Sequence, residues 1–108
     1  MRYITYKGKQ YSVSVPGKFE DDSMCIELID GYEIYARLTF YAHDGTNGYK
    51  ASEGCVWLKD WWEDKDFAPF LVAEGYFQFT GREIPQKYVV YKEAKITDKL
   101  SKLIKGGL

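Results

Sequence analysis

Residues that ligate metals or act as activated nucleophiles are scarce in this chain, which has two cysteines, Cys25 and Cys55, and one histidine, His43. Two thiols are too few for the dense disulfide framework of a small secreted domain, and their spacing matches no zinc or redox motif. Both are expected to stay reduced among the bulky apolar residues beside them. Any Ser-His-Asp or Cys-His system would have to use His43. That residue is followed by Asp44 and Gly45 with no strained nucleophile turn in the chain, so a solvated loop histidine is the expectation. Neither a Gly-x-Gly-x-x-Gly run nor a Gly-x-x-x-x-Gly-Lys-Ser/Thr run is present, which leaves no phosphate-binding loop. A calcium loop can be aligned only with its glycine at Gly48, and its first, third and last ligand positions then fall on His43, Gly45 and Gly54. No metal, cofactor or catalytic residue is expected, and the chain reads as a non-enzyme. Runs of roughly 18 to 20 apolar residues, the length of a membrane span, are missing too. The start, Met1 to Lys7, has no apolar signal-peptide core, so a cytosolic protein without membrane contact is expected.

What is present points to one folded domain over residues 1–108, with 45% hydrophobic and 29% charged residues. Ten Tyr, six Phe and three Trp make it rich in rings, which bury much area per residue in a short chain. Net charge is −1, which removes the usual electrostatic case for non-specific binding to nucleic acid or anionic membranes. The charge is unevenly spread. Residues 1–18 carry Arg2, Lys7, Lys9 and Lys18 without an acid, while residues 19–35 carry six acids without a base. Further acids cluster at Asp60, Glu63, Asp64 and Asp66, and six lysines follow residue 86.

Period-two alternation predicts a short strand over 2–6, a turn at Lys7-Gly8-Lys9, and a second strand through Tyr11, Val13 and Val15 that breaks at Pro16-Gly17. A third strand carries Met24, Ile26 and Leu28, and Asp30-Gly31 turns the chain back. Residues 32–41 alternate most clearly and predict one long, half-buried strand. A glycine-rich loop is expected over 42–54, then a strand over Cys55–Lys59. Asp60 and Glu63 sit at capping-box spacing and suggest a short helical turn. The main helix is expected over about 66–74, with Asp66 as its cap, Pro69 in its first turn and Gly75 at its stop. Tyr76–Thr80 and Lys87–Ile96 should form a hairpin turned by Gly81 to Pro85. A short C-terminal helix should start at Thr97-Asp98 and end at Gly106-Gly107. The fold class is therefore α+β, with an antiparallel sheet of about six strands covered by helices.

Two surfaces are candidates for function. Trp57 to Phe67 is the least ordinary segment. Consecutive residues on a helical turn point about 100° apart, so Trp61 and Trp62 should diverge, one inward and one outward. An exposed Trp among Asp60, Glu63 and Asp64 would serve as an anchor for another protein, against the plainer reading in which the pair seals a core edge. The second candidate is the polar side of the long strand, where Tyr35, Arg37 and Tyr41 could stack nucleobases. It is disfavoured, since no RNP-like sequence accompanies it and a helix could equally pack there.

Several stretches together resemble the family called domain of unknown function 4313: Tyr6 to Val13, Tyr35 to Thr39, Trp57-Leu58-Lys59-Asp60-Trp61 followed by Phe70-Leu71 and Gly75, and Thr80 to Pro85. The resemblance implies an accessory protein of a phage or mobile element in Gram-positive bacteria, hence the cytosol of a bacterial host, and carries no assigned activity. The reading reached is a non-enzymatic accessory protein acting on another protein, such as a host or defence factor. The alternative is a nucleic-acid or nucleotide-binding module.

Overall fold

A computed structural model of the chain describes residues 3–43 and 48–106. Arg2, Asp44, Gly45 and Gly107, and the part of the expected loop over 44–47, lie outside the described residues.

Strands β1 (Tyr3–Tyr6) and β2 (Lys9–Lys18) pair around Lys7 and Gly8, whose φ values of 49° and 80° are those of the two-residue turn that matches strand twist. Strand β2 pairs with β3 (Met24–Asp30), and β3 with β4 (Glu33–Arg37) around Gly31, at φ 64°. The break expected at Pro16-Gly17 is instead a register shift between Ser14 and Gly17, and β2 runs on through both residues. A bulge accommodates a residue that has no amide to give to the ladder.

The long strand expected over 32–41 is divided between two sheets. Leu38 donates its amide to the Ile26 carbonyl at 2.8 Å, and its own carbonyl accepts the Lys59 amide at 2.8 Å. Beyond it, β5 (Thr39–Phe40) pairs with β6 (Cys55–Leu58). Thr39 fixes the crossing, because its hydroxyl donates to the Met24 carbonyl and accepts the Ile26 amide. Helix α1 (Phe67–Ala73) follows, then β7 (Phe77–Pro85), β8 (Val90–Ile96) and helix α2 (Asp98–Gly106). Among the described residues the architecture is thus eight antiparallel strands in two four-stranded sheets, ordered β1-β2-β3-β4 and β5-β6-β8-β7, in place of one sheet of about six.

Two further expectations are corrected. Gly81 to Pro85 do not turn the chain but lie inside β7, where the register shifts between Phe79 and Glu83 and Gly81 takes φ 92°. The turn comes later, closed by the Gln86 amide on the Val89 carbonyl. Nor is there a helical turn at Asp60 to Glu63. Lys59 is still bonded to the strand segment at Leu38, and the Asp60 carboxylate is drawn to Lys92, 3.1 Å away, and not to cap amides. Helix α1 has Pro69 in its first turn and Gly75 at φ 81° beyond its end, but Asp66, at the N-cap position, caps no amide with its side chain, and its own amide donates to Asp64 at 3.0 Å.

The main core lies between the sheets and under both helices. Ile4, Tyr6, Tyr11, Ile26 and Leu28 from the first sheet meet Val56, Leu58, Phe77 and Ala94 from the second, with Phe67, Leu71 and Leu100 from the helices. A smaller cluster occupies the opposite face of the second sheet, where Trp57 is buried with Ala42 and Ala51 against Phe40, Tyr49, Ile84 and Tyr91. Both faces of β6 are therefore covered, which accounts for its unbroken apolar run. Among the described residues no helix is long and apolar enough to cross a membrane.

Candidate functional site

Residues 59–66 leave the end of β6, an interior strand, and the two tryptophans reach the two faces of the second sheet. Trp61, 38% exposed, rests edge-on against Phe40 at 5.0 Å between centroids and lies 6.1 Å from Tyr91, beside the smaller cluster. Trp62 is half-buried against the main core, edge-on to Phe67 at 5.2 Å, and its indole N–H donates to the Lys59 carbonyl at 2.9 Å. Lys59 Nζ lies 4.2 Å from the Trp62 ring centroid and 5.9 Å from that of Trp61, so one cation serves both rings.

The acids of the segment are directed elsewhere. Asp64 accepts the Tyr6 hydroxyl at 2.6 Å and Lys7 Nζ at 3.2 Å, and Asp66 stands 3.6 Å from the same ammonium. The Tyr6 hydrogen bond, with those from the Asp66 amide and Lys7, holds the Asp64 carboxyl below its ordinary value against the opposing effect of burial. Asp64 therefore fastens the β1–β2 hairpin to the start of α1. Asp60 pairs with Lys92, and Glu63 is exposed. Beside Trp62 a groove of about 460 Å³ opens between α1 and β7, lined by Ala68, Pro69, Val72, Ala73 and Phe79, with Asp60, Lys65 and Lys92 as its charged residues.

Tyr35, Arg37 and Tyr41 occupy three different settings. The register shift between Leu28 and Ile29 makes Tyr35 the extra residue of β4, and its ring stacks on the buried Tyr11 at 4.2 Å and meets Phe67 edge-on at 6.0 Å. Arg37 donates through Nε to Glu27 at 2.7 Å. Tyr41 lies beyond β5, its ring 5.6 Å from that of His43. The alternation that would have placed all three on one open face is broken by the bulge.

Sequence reasoning missed a polar layer over Trp57 built around the buried carboxylates of Glu93 and Asp21. Arg82 donates to Glu93 at 3.0 Å and to the Lys50 carbonyl at 2.7 Å, and its guanidinium lies 5.0 Å from the Trp57 ring centroid. Glu93 also accepts the Ser52 amide at 3.0 Å and the Thr80 hydroxyl at 2.9 Å. Asp21 accepts the amides of Ala51 and Ser23, each at 3.0 Å. Burial alone would raise both carboxyls, but the hydrogen bonds outweigh it and hold each below its ordinary value. Together these groups fasten residues 49–52 across Trp57, whose indole N–H donates to the Tyr49 carbonyl at 2.7 Å. The one available signal was Gly81 inside an alternating strand, which marks a bulge as readily as a turn.

Among the described residues no buried side-chain N or O atom lacks a partner, and no group of three or more His, Cys, Asp or Glu could hold a metal. A second cleft, of about 630 Å³, lies beside Asp21, Met24, Lys50 and Cys55. Burial, then the nearby Glu93 charge, pushes the Cys55 thiol up, which opposes nucleophilic activation. Cys25 is likewise an unpaired thiol, and His43 is exposed, in an isolated bridge with Gly48. In comparisons with known proteins, the chain matches no family model, no curated protein and no solved structure.

Proposed function

We propose that the chain is a non-enzymatic accessory protein that docks on another protein through the corner built by Trp61, Trp62 and the adjoining groove. The observation that carries this reading is the groove itself, an open apolar channel walled by Trp62 and by Phe79, 40% exposed, with Trp61 exposed on the other side of the same segment. Large aromatic side chains at the edge of a concave apolar surface are what dominate binding energy at protein interfaces. The family resemblance adds the setting of a phage or mobile element in a bacterial cytosol, with a host or defence factor as the partner. The nucleic-acid alternative has no comparable support, since Tyr35 is engaged by Tyr11.

The test is retention of captured proteins by the wild-type chain and by two surface variants, Trp61→Ala and Phe79→Ala, after their folding is verified by circular dichroism. Loss of the same captured species from both variants is the expected result. Equal retention by all three forms would remove this corner as the interface.

A further inference from the structure

We infer that the partner offers this groove an acidic segment with an apolar anchor, the anchor seated between Trp62 and Phe79 and its flanking carboxylates meeting Lys59 and Lys65. The inference rests on the docking reading above and adds the chemistry of the occupant. Composition alone suggests the reverse, because residues 60–66 hold four acids and a single lysine. At the groove lining folding leaves Lys65 and Lys92 against Asp60 alone. Asp64 and Asp66 are turned to Lys7 on the first hairpin, and Asp60 is neutralised by Lys92. Among the described residues, Lys59 and Lys65 have no carboxylate within ion-pair distance. Lys65 lines the groove, and Lys59, outside the lining, lies over the Trp62 ring that forms part of its wall. Glu63 is exposed and, like Lys59, lies outside the lining of the groove.

The shape agrees with a peptide. At about 460 Å³ the groove has room for bulky side chains. One wall is an exposed helix face carrying Pro69 and Ala73, so a chain can lie across it as a helix or extended strand lies in a recognition groove. A nucleic-acid strand needs a track of cations along its phosphates. Aliphatic Ala68, Val72 and Ala73 provide none.

Four labelled ten-residue peptides, titrated against the full chain by fluorescence anisotropy, test the inference: a Phe-Leu anchor flanked by Glu, the same anchor flanked by Ser or by Lys, and the Glu peptide with Ala replacing the anchor. Two variants at exposed positions accompany them, Lys65→Glu to reverse a charge and Ala73→Phe to fill the groove. The Glu-flanked anchor should bind best and the Lys-flanked one at least about tenfold more weakly, with Lys65→Glu narrowing or reversing the order and Ala73→Phe abolishing binding. If the Ser or Lys peptides bind equally well and Ala73→Phe removes them, docking stands and the acidic occupant is wrong. Equal binding by the peptide without its anchor, or equal competition by a single-stranded oligonucleotide, also overturns the inference. Should no peptide bind, or should Ala73→Phe change nothing, the inference and the docking reading fall together.

Discussion

A carboxylate removed from water must recover its lost hydration from fixed donors. Glu93, 2% exposed, recovers it from the Ser52 amide, the Thr80 hydroxyl and the Arg82 guanidinium. Truncating it to Ala strands those donors at once. The partial exposure of Arg82 keeps the loss at the low end for a broken buried pair, about 2–3 kcal/mol by urea denaturation. A loss below about 0.5 kcal/mol would mean that water replaces Glu93 without cost. The tryptophans make the complementary case. Trp62 packs on Phe67 and the main core, so Trp62→Ala should cost about 2–3 kcal/mol, less than a fully buried ring because part of it is already hydrated. Trp61 touches Phe40 and Tyr91 only at the edge of the smaller cluster, so Trp61→Ala should stay within about 1 kcal/mol. Paired denaturation curves decide it, and equal losses would contradict the placement on opposite sides of the sheet.

Among the elements, β7 shows how a local signal acquires its meaning from distant partners. Gly81 takes φ 92°, which lets Thr80 and Arg82 leave the ladder and reach Glu93. Gly81→Ala should cost about 1–2 kcal/mol from backbone strain, and the Ser52 amide that bonds to Glu93 should exchange faster with solvent. Unchanged exchange at Ser52 would separate the bulge from the layer over Trp57. Lys7-Gly8 and Asp30-Gly31 were legible as hairpin turns, and Pro69 with Gly75 bracketed α1, because each signal acts within a few residues. Pro16 and Gly81 misled for the same reason. A missing amide or a positive φ suits a turn and a bulge equally, and only the partner strand decides which forms. The division of residues 32–41 between two sheets was equally hidden, since it depends on Ile26 and Lys59 bonding the two sides of Leu38. At the candidate site the divergence of Trp61 and Trp62 was expected from a helical turn, yet it arises where an irregular segment leaves the end of β6. The direction of the acids was illegible, because Lys7 lies 57 residues from Asp64.

For the whole molecule, the two cores and the segment that covers one of them should respond differently to acid. Asp21 and Glu93 both have carboxyls held below their ordinary values in the folded chain, and both bond to residues 51–52. The unfolded chain binds protons at about pH 3.9 for Asp and about 4.3 for Glu, so it takes them up first as pH falls. Their contribution is therefore complete at neutral pH, declines below about pH 4.5, and is gone once the folded-state carboxyls are themselves protonated. Denaturation free energy should be nearly level from about pH 5 to 8 as far as these two groups are concerned, then fall steeply. The main core contains neither carboxylate, so the cover over Trp57 should loosen first. The Trp57 indole N–H, bonded to the Tyr49 carbonyl, is the reporter: in a pH titration by NMR its exchange should quicken before the Leu58 and Ala94 amides of the sheet lose protection. A double variant, Asp21→Asn with Glu93→Gln, keeps the shapes and removes the titrations. Its stability should be lower at pH 7 and should depend less on pH below about 4.5. If its acid slope equals that of the wild type, the carboxylates over Trp57 are not what acid attacks, and the cover is held by its apolar contacts and by the hydrogen bonds of Arg82 and Trp57 to the Lys50 and Tyr49 carbonyls.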